Sequence, residues 1–211
     1  GYGTTIGNSL RRVMLSSLPG AAVTAVKISG AQHEFSSLAG VKEDVLEIIL
    51  NLKLLRLRMY GTEPVRLQLS VKGDRIVTAK DIQATSDVEI ANPELHIATL
   101  TDKKAQLEME IFVETCRGYS PVEERGKEKA ELGVIAIDAL FTPVRDVGVR
   151  VENVRVGQIT NFDKLIMEIE TDGTVTPEDA VQQSIKILLD HFSLFLPASS
   201  MAASEEVVEE V

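Results

Sequence analysis

Apolar residues recur at helical spacing near both ends of the chain and at alternate positions through its middle. Residues 4–18 place Ile6, Leu10, Val13, Met14 and Leu18 on one side of a helix, with Thr4 or Thr5 able to cap it and Pro19-Gly20 able to stop it. Residues 41–55 repeat the pattern with Val41, Val45, Ile48, Ile49, Leu52 and Leu55, and Glu43 and Asp44 suit the positive end of that helix's dipole. Between about residue 56 and residue 170 the period falls to two, as in Val65, Leu67, Leu69, Val71 and in Leu107, Met109, Ile111, Val113, which predicts half-buried strands. Turn residues separate them: Lys72-Gly73-Asp74, Asn92-Pro93, Thr101 to Lys104, and Thr171-Asp172-Gly173-Thr174. The stretch 117–131 is charged and aperiodic, an expected exposed excursion between strands.

A last helix is signposted by Thr176 as cap, Pro177 at its first position and Glu178 and Asp179 in its first turn. Its apolar side reads Val181, Ile185, Leu188, Phe192, Phe195 and Leu196, and Pro197 ends it. From Pro177 to Leu196 it would run about 30 Å. Residues 198–211 are small, polar and acidic, as at the start of a flexible linker.

At 211 residues and 23.0 kDa the chain can hold one large domain or two small ones with a real core. Apolar residues at 44% and charged residues at 26% exclude a disordered, collagenous or disulfide-scaffold class. The formal charge of -10 opposes a large nucleic-acid-binding surface, so any connection to DNA is expected to be indirect. Glu205, Glu206, Glu209 and Glu210 crowd the end of the chain, and without them the charge would be about -6. A single cysteine, Cys116, fits a reducing cytoplasmic setting, and neither a signal peptide nor a long apolar span is visible. Opening on Gly1 within a helical pattern, the sequence reads as a fragment of a longer chain.

Chemistry is sparse. His33, His96 and His191 lie far apart without local partners, and no phosphate loop, dinucleotide fingerprint, zinc-protease pair or nucleophile elbow occurs. The residues therefore favour a binding or assembly protein that needs no cofactor, metal or small-molecule ligand. The alternative is a stand-alone α+β enzyme with Asp138, Asp146 or His96 as its candidates.

The segments GTTIGNSLRRVMLSSLPGAAV and HEFSSLAGVKEDVLEIILNLK, followed by VTAKDI, DVEIANPELHIATLT, RGYSPV and FTPVRDVGVRVENVRVGQITNFDKLIMEIETDGTVTPEDAVQQSIKIL, resemble the amino-terminal domain of the bacterial DNA-directed RNA polymerase alpha subunit. The resemblance reaches from the start to about residue 196. It implies an α+β fold in which both chain ends form a dimerisation subdomain, about 1–19 plus 145–197, around an inserted, mostly antiparallel β subdomain, about 20–144. The family's first strands and its carboxy-terminal DNA-contacting module have no counterpart in these residues.

By the same resemblance the chain would be a non-catalytic, cytoplasmic subunit that homodimerises and scaffolds the beta and beta-prime subunits. The family dimerises through its first and last helices, which points to Ile6, Leu10, Val13, Val181, Ile185, Leu188 and Phe192 as forming or supporting the interface. The second arginine of the Leu10-Arg11-Arg12 motif is the implied beta anchor, with Arg11 beside it. The resemblance also places Asp44, Asn51 and Lys53 near beta, and Asp163 and Lys164 near beta-prime.

Overall fold

The computed structural model describes residues 1–125, 133–156 and 159–196. In chain order, α1 (Gly3–Ser16) is followed by β1 (Pro19–Ile28), α2 (Val45–Lys53) and β2 (Leu57–Met59). Then come β3 (Val65–Lys72), β4 (Arg75–Thr78), a short 3₁₀ turn (Ala79–Asp81), β5 (Ile82–Gln83), β6 (Val88–Ile90) and β7 (His96–Leu100). β8 (Gln106–Arg117), β9 (Tyr119–Ser120), β10 (Val134–Ala136) and β11 (Ala139–Leu140) precede the long strands β12 (Val144–Val156) and β13 (Ile159–Thr171), and α3 (Pro177–Ser193) closes the series. Helices combined with antiparallel strands make this an α+β fold.

The described residues divide into two compact units, one of Gly1–Leu18, Val144–Thr171 and 175–196, the other of Pro19–Pro143 with Asp172–Thr174. In the first unit β12 and β13 form a hairpin with Val149 opposite Met167 and Val151 opposite Leu165. Strand alternation puts Val147, Val149, Leu165, Met167 and Ile169 on one face and Arg150, Glu152, Lys164, Glu168 and Glu170 on the other. The charged face is laced by ion pairs such as Arg150 with Glu168 at 4.0 Å. Helix α1 lies on the apolar face, and its glycines allow the close approach. A Cβ on Gly7 would come within 2.6 Å of Val149 Cγ1, and one on Gly3 within 2.9 Å of Val151 Cγ1. Leu10, Met14, Leu18, Val144, Val147 and Ala180 make the core of this unit.

In the second unit the large sheet runs β5-β3-β8-β1-β2-β6, with β10 also paired to β1, while β4–β7 and β9–β11 form separate two-stranded sheets. Leu67 and Val26 each sit opposite Ile111 on the central strand β8. The inward residues of these strands meet Val45, Ile48, Ile49 and Leu52 of α2 in one core.

The element boundaries that depart most from the sequence expectation are the start of α2 and the end of α3. Helix α2 begins at Val45 rather than residue 41, because the Asp44 carboxylate accepts the Glu47 N–H at 2.8 Å as an N-cap. The preceding residues instead pair along β7, with Lys42 N–H donating to Thr99 O at 3.0 Å and Val41 bridging to Leu100. Helix α3 ends at Ser193 rather than Leu196, its last residues tightening into turns in which Phe195 N–H donates to Phe192 O and Leu196 N–H to Ser193 O. Of the expected excursion over 117–131, β9 pairs with β11, while 126–131 lies outside the described residues, as does the expected linker 198–211.

Candidate functional site

Helix α3 is apolar over more of its circumference than one buried contact requires. Ala180 and Ser184 are fully buried, and the Ser184 hydroxyl donates back to Ala180 O at 2.7 Å, which satisfies it inside the core. Val181 and Leu188 flank that face, half-buried against the unit's own core. At about 100° per residue, Ile185, Leu189 and Phe192 fall on the remaining apolar arc of the helix, and Leu196 follows in the turn just past its end. They are exposed, Ile185 by 42%, Leu189 by 63% and Phe192 by 61%. Leu189 escaped the sequence reading, which followed one stripe centred between the buried and exposed arcs.

On α1 the buried positions are Gly3, Gly7, Leu10 and Met14. Ile6 is exposed by 51%, Val13 is half-buried and Leu10 is interior. Of the sequence candidates for the dimer surface, Ile6, Ile185 and Phe192 thus face outward, Val13, Val181 and Leu188 lie at the boundary, and Leu10 can act only by supporting the helix from beneath.

Arg11 and Arg12 are both exposed and point about 100° apart. Among the described residues neither has an ion-pair partner, which leaves both guanidinium forks available to carboxylates or carbonyls. Asp163 and Lys164 are neighbours on β13 and so face opposite ways. Lys164 is exposed, whereas Asp163 turns inward and accepts the Gly3 N–H at 2.8 Å.

The polar residues of α2 have internal partners as well. Asp44 is the N-cap, Asn51 Nδ2 donates to Ile97 O at 3.0 Å, and Lys53 pairs with Asp138 at 3.4 Å. Beside them Leu46, Leu50 and Leu54 are exposed on the outer face of the same helix. The sequence reading missed this row although its i, i+4, i+8 spacing is legible, because the inward stripe alone accounted for the helix.

The candidates for enzyme chemistry are occupied in other ways. His96 Nε2 lies 3.0 Å from Thr99 Oγ1, but that hydroxyl donates to Glu43 Oε1 at 2.9 Å and is not set up as a nucleophile. Asp138 accepts the Val122 N–H at 3.0 Å, and this bond, helped by Lys53, holds its carboxyl below the usual aspartate value. Asp146 is exposed on β12. Among the described residues no three His, Cys, Asp or Glu side chains gather closely enough to hold a metal.

Residues 26–142 match the family described as the RNA polymerase Rpb3/RpoA insert domain. Across 210 residues, 100% of this chain and 67% of the relative, the sequence is 52% identical to the DNA-directed RNA polymerase subunit alpha of Oceanobacillus iheyensis. Across 208 residues, 99% of this chain and 65% of the relative, it is 51% identical to the protein of that name from Alkaliphilus oremlandii. The chain therefore spans about two thirds of the length of these curated relatives. A domain match over more than half of its residues and an alignment along its whole length, on the α+β fold described above, place this chain in the family of bacterial DNA-directed RNA polymerase alpha subunits.

Proposed function

We propose that two copies of this chain dimerise through the outer face of α3 and form a non-catalytic platform for assembling the beta and beta-prime subunits of RNA polymerase. The observation that carries this reading is the exposed row Ile185, Leu189, Phe192 and Leu196, an apolar surface that a lone soluble protomer has no use for. Each of these side chains is roughly half exposed, so its burial is worth about 1 kcal/mol and eight across a two-fold contact about 8 kcal/mol. Association costs roughly 4 to 15 kcal/mol, so α3 is sufficient at the low end and needs help from residues such as Ile6 and Phe195 at the high end.

Docking of the large subunits rests on separate surfaces. On α1, Arg12 is the proposed beta anchor with Arg11 beside it. On α2, Asp44 and Asn51 fix the helix, while Lys53 and the outer leucines supply the contact. Lys164, on the charged face of the β12–β13 hairpin, is the proposed beta-prime contact, with Asp163 supporting it from behind. Two identical protomers can receive two different partners only if the first to bind breaks the symmetry, so assembly is ordered. The chain works without metal or cofactor of its own, in the cytoplasm, and meets DNA only through the assembled enzyme. No helix among the described residues is long and apolar enough to cross a membrane.

Co-expression with beta followed by size exclusion tests this reading. Two copies of the chain per beta are expected, with Arg12→Ala still dimeric but failing to retain beta. Capture of beta by Arg12→Ala at wild-type affinity would remove Arg12 from the docking surface.

A further inference from the structure

Glu43 is an acidic side chain buried to 6% exposure, directly before the N-cap of α2. Its carboxylate accepts two hydrogen bonds from one residue of β7, the Thr99 N–H at 2.6 Å and the Thr99 hydroxyl at 2.9 Å. His96 Nε2 stands 3.5 Å from the same carboxylate. The backbone strap just before it is zipped to the same strand and its end, with Lys42 N–H donating to Thr99 O at 3.0 Å and Thr101 N–H to Gly40 O at 2.9 Å. Toward the other end of the helix, Asn51 reaches Ile97 O on β7. Helix α2 is therefore tied to one strand by polar bonds at both ends, with its apolar inner face between them.

Apolar packing alone would not require this arrangement. Contacts of Val45, Ile48, Ile49 and Leu52 with the sheet are non-directional and tolerate small slides and rotations, whereas hydrogen bonds fix a register. A buried carboxylate contributes little net stability compared with an apolar side chain of similar volume, and its better-attested use is to specify one arrangement among several. The face that such a register would orient is the outer one, with Leu46, Leu50, Leu54 and Lys53.

We infer that Glu43 is a positioning residue: through Thr99 it locks α2 onto β7 so that the exposed leucine row meets the beta subunit in a single orientation. This rests on the proposed function above, in which the outer face of α2 docks beta. The carboxylate is held in its ionised form, since burial alone would raise its pKa but the Thr99 hydrogen bonds and the nearby His96 bring it below the ordinary glutamate value.

The test uses the whole chain, purified beta, and the variants Glu43→Gln, Thr99→Val, Thr99→Ser, the Gln/Val double variant and Leu50→Asp. Affinity for beta is measured at a temperature where each variant is fully folded, together with amide exchange. Glu43→Gln and Thr99→Val are each expected to bind about tenfold more weakly, and the double variant no more weakly than the worse single one. Thr99→Ser, which keeps the hydroxyl, is expected to bind like wild type. Exchange at Glu47 and Ile48 should accelerate in the weakened variants while Leu67 and Ile111 on the central sheet stay protected, a local signature that general destabilisation would not give. If Glu43→Gln does not fold, the Val and Ser variants at Thr99 decide the matter by themselves. Wild-type affinity in a folded Glu43→Gln or Thr99→Val chain, alongside loss of binding in Leu50→Asp, overturns the positioning role and leaves the docking face intact. Unchanged binding by Leu50→Asp, or no binding by the wild-type chain, overturns the docking reading and this inference with it.

Discussion

Asp163 caps α1 from the far end of the sequence: its Oδ2 accepts the Gly3 N–H at 2.8 Å across 160 positions of chain. Tyr2, the residue at the cap position itself, supplies no side-chain bond to the helix. A strand residue thus does the work that a Ser, Thr or Asp at the cap would do, and places negative charge at the positive end of the helix dipole. Asp163→Ala is expected to cost about 0.5 to 2 kcal/mol of stability, within the range of lost N-caps, whereas Lys164→Ala should change little. Urea unfolding of the two variants separates them.

The Glu43 carboxyl gives the second unit a defined acid sensitivity. Burial would raise its pKa, but the bonds from Thr99, with His96 nearby, leave it below the ordinary value of 4.5. The unfolded chain therefore takes up a proton at higher pH than the folded one, so the ionised carboxylate contributes stability above that range. The contribution fades as pH falls through 4.5 and is gone below the folded pKa. Unfolding free energies of wild type and Glu43→Gln, measured across pH, should differ at neutral pH and converge as the pH falls below 4.5.

Gly7 separates helix propensity from packing. Alanine in a helix interior is favoured over glycine by about 1 kcal/mol, yet its Cβ here would press to 2.6 Å from Val149 Cγ1 and 2.8 Å from Leu165 Cδ1. Valine is short and stiff, so relief requires the helix to lift from the hairpin, and overpacking of this kind costs about 1 to 3 kcal/mol. Gly7→Ala should lower the thermal midpoint. Gly61→Ala is the matched control: nothing lies within 4 Å of its Cβ, and a gain of about 0.4 to 1 kcal/mol is expected.

The three helices and the strands follow from local signals, namely amphipathic spacing, Thr176 with Pro177, and strict alternation on β3 and β8, whereas their arrangement as an α+β fold came with the family resemblance. What period could not reveal is which polar group meets which. Asp163, Asp44 and Asn51 read as docking candidates from family resemblance, yet each satisfies a backbone group inside its own unit. The partners of Asp163 and Asn51 lie 160 and 46 residues away, so no local pattern encodes those contacts. The α2 boundary moved for the same reason, since pairing of residues 40–42 with the end of β7 depends on a strand far along the chain. Leu189 and the Leu46, Leu50, Leu54 row were legible in principle. They went unread because a single apolar stripe was enough to justify each helix, and a second exposed arc has no structural purpose until a partner is considered.

The outer arc of α3 is the feature on which the proposed dimerisation rests most directly, and sedimentation equilibrium of wild type against the Ile185→Asp, Phe192→Asp double variant measures its contribution. Wild type is expected at twice the 23.0 kDa chain mass, and the double variant at the single-chain mass with unchanged circular dichroism, because both side chains are exposed in the protomer and their replacement leaves its core untouched. A wild-type chain that sediments as a monomer, or a double variant that remains dimeric, would contradict dimerisation through this surface.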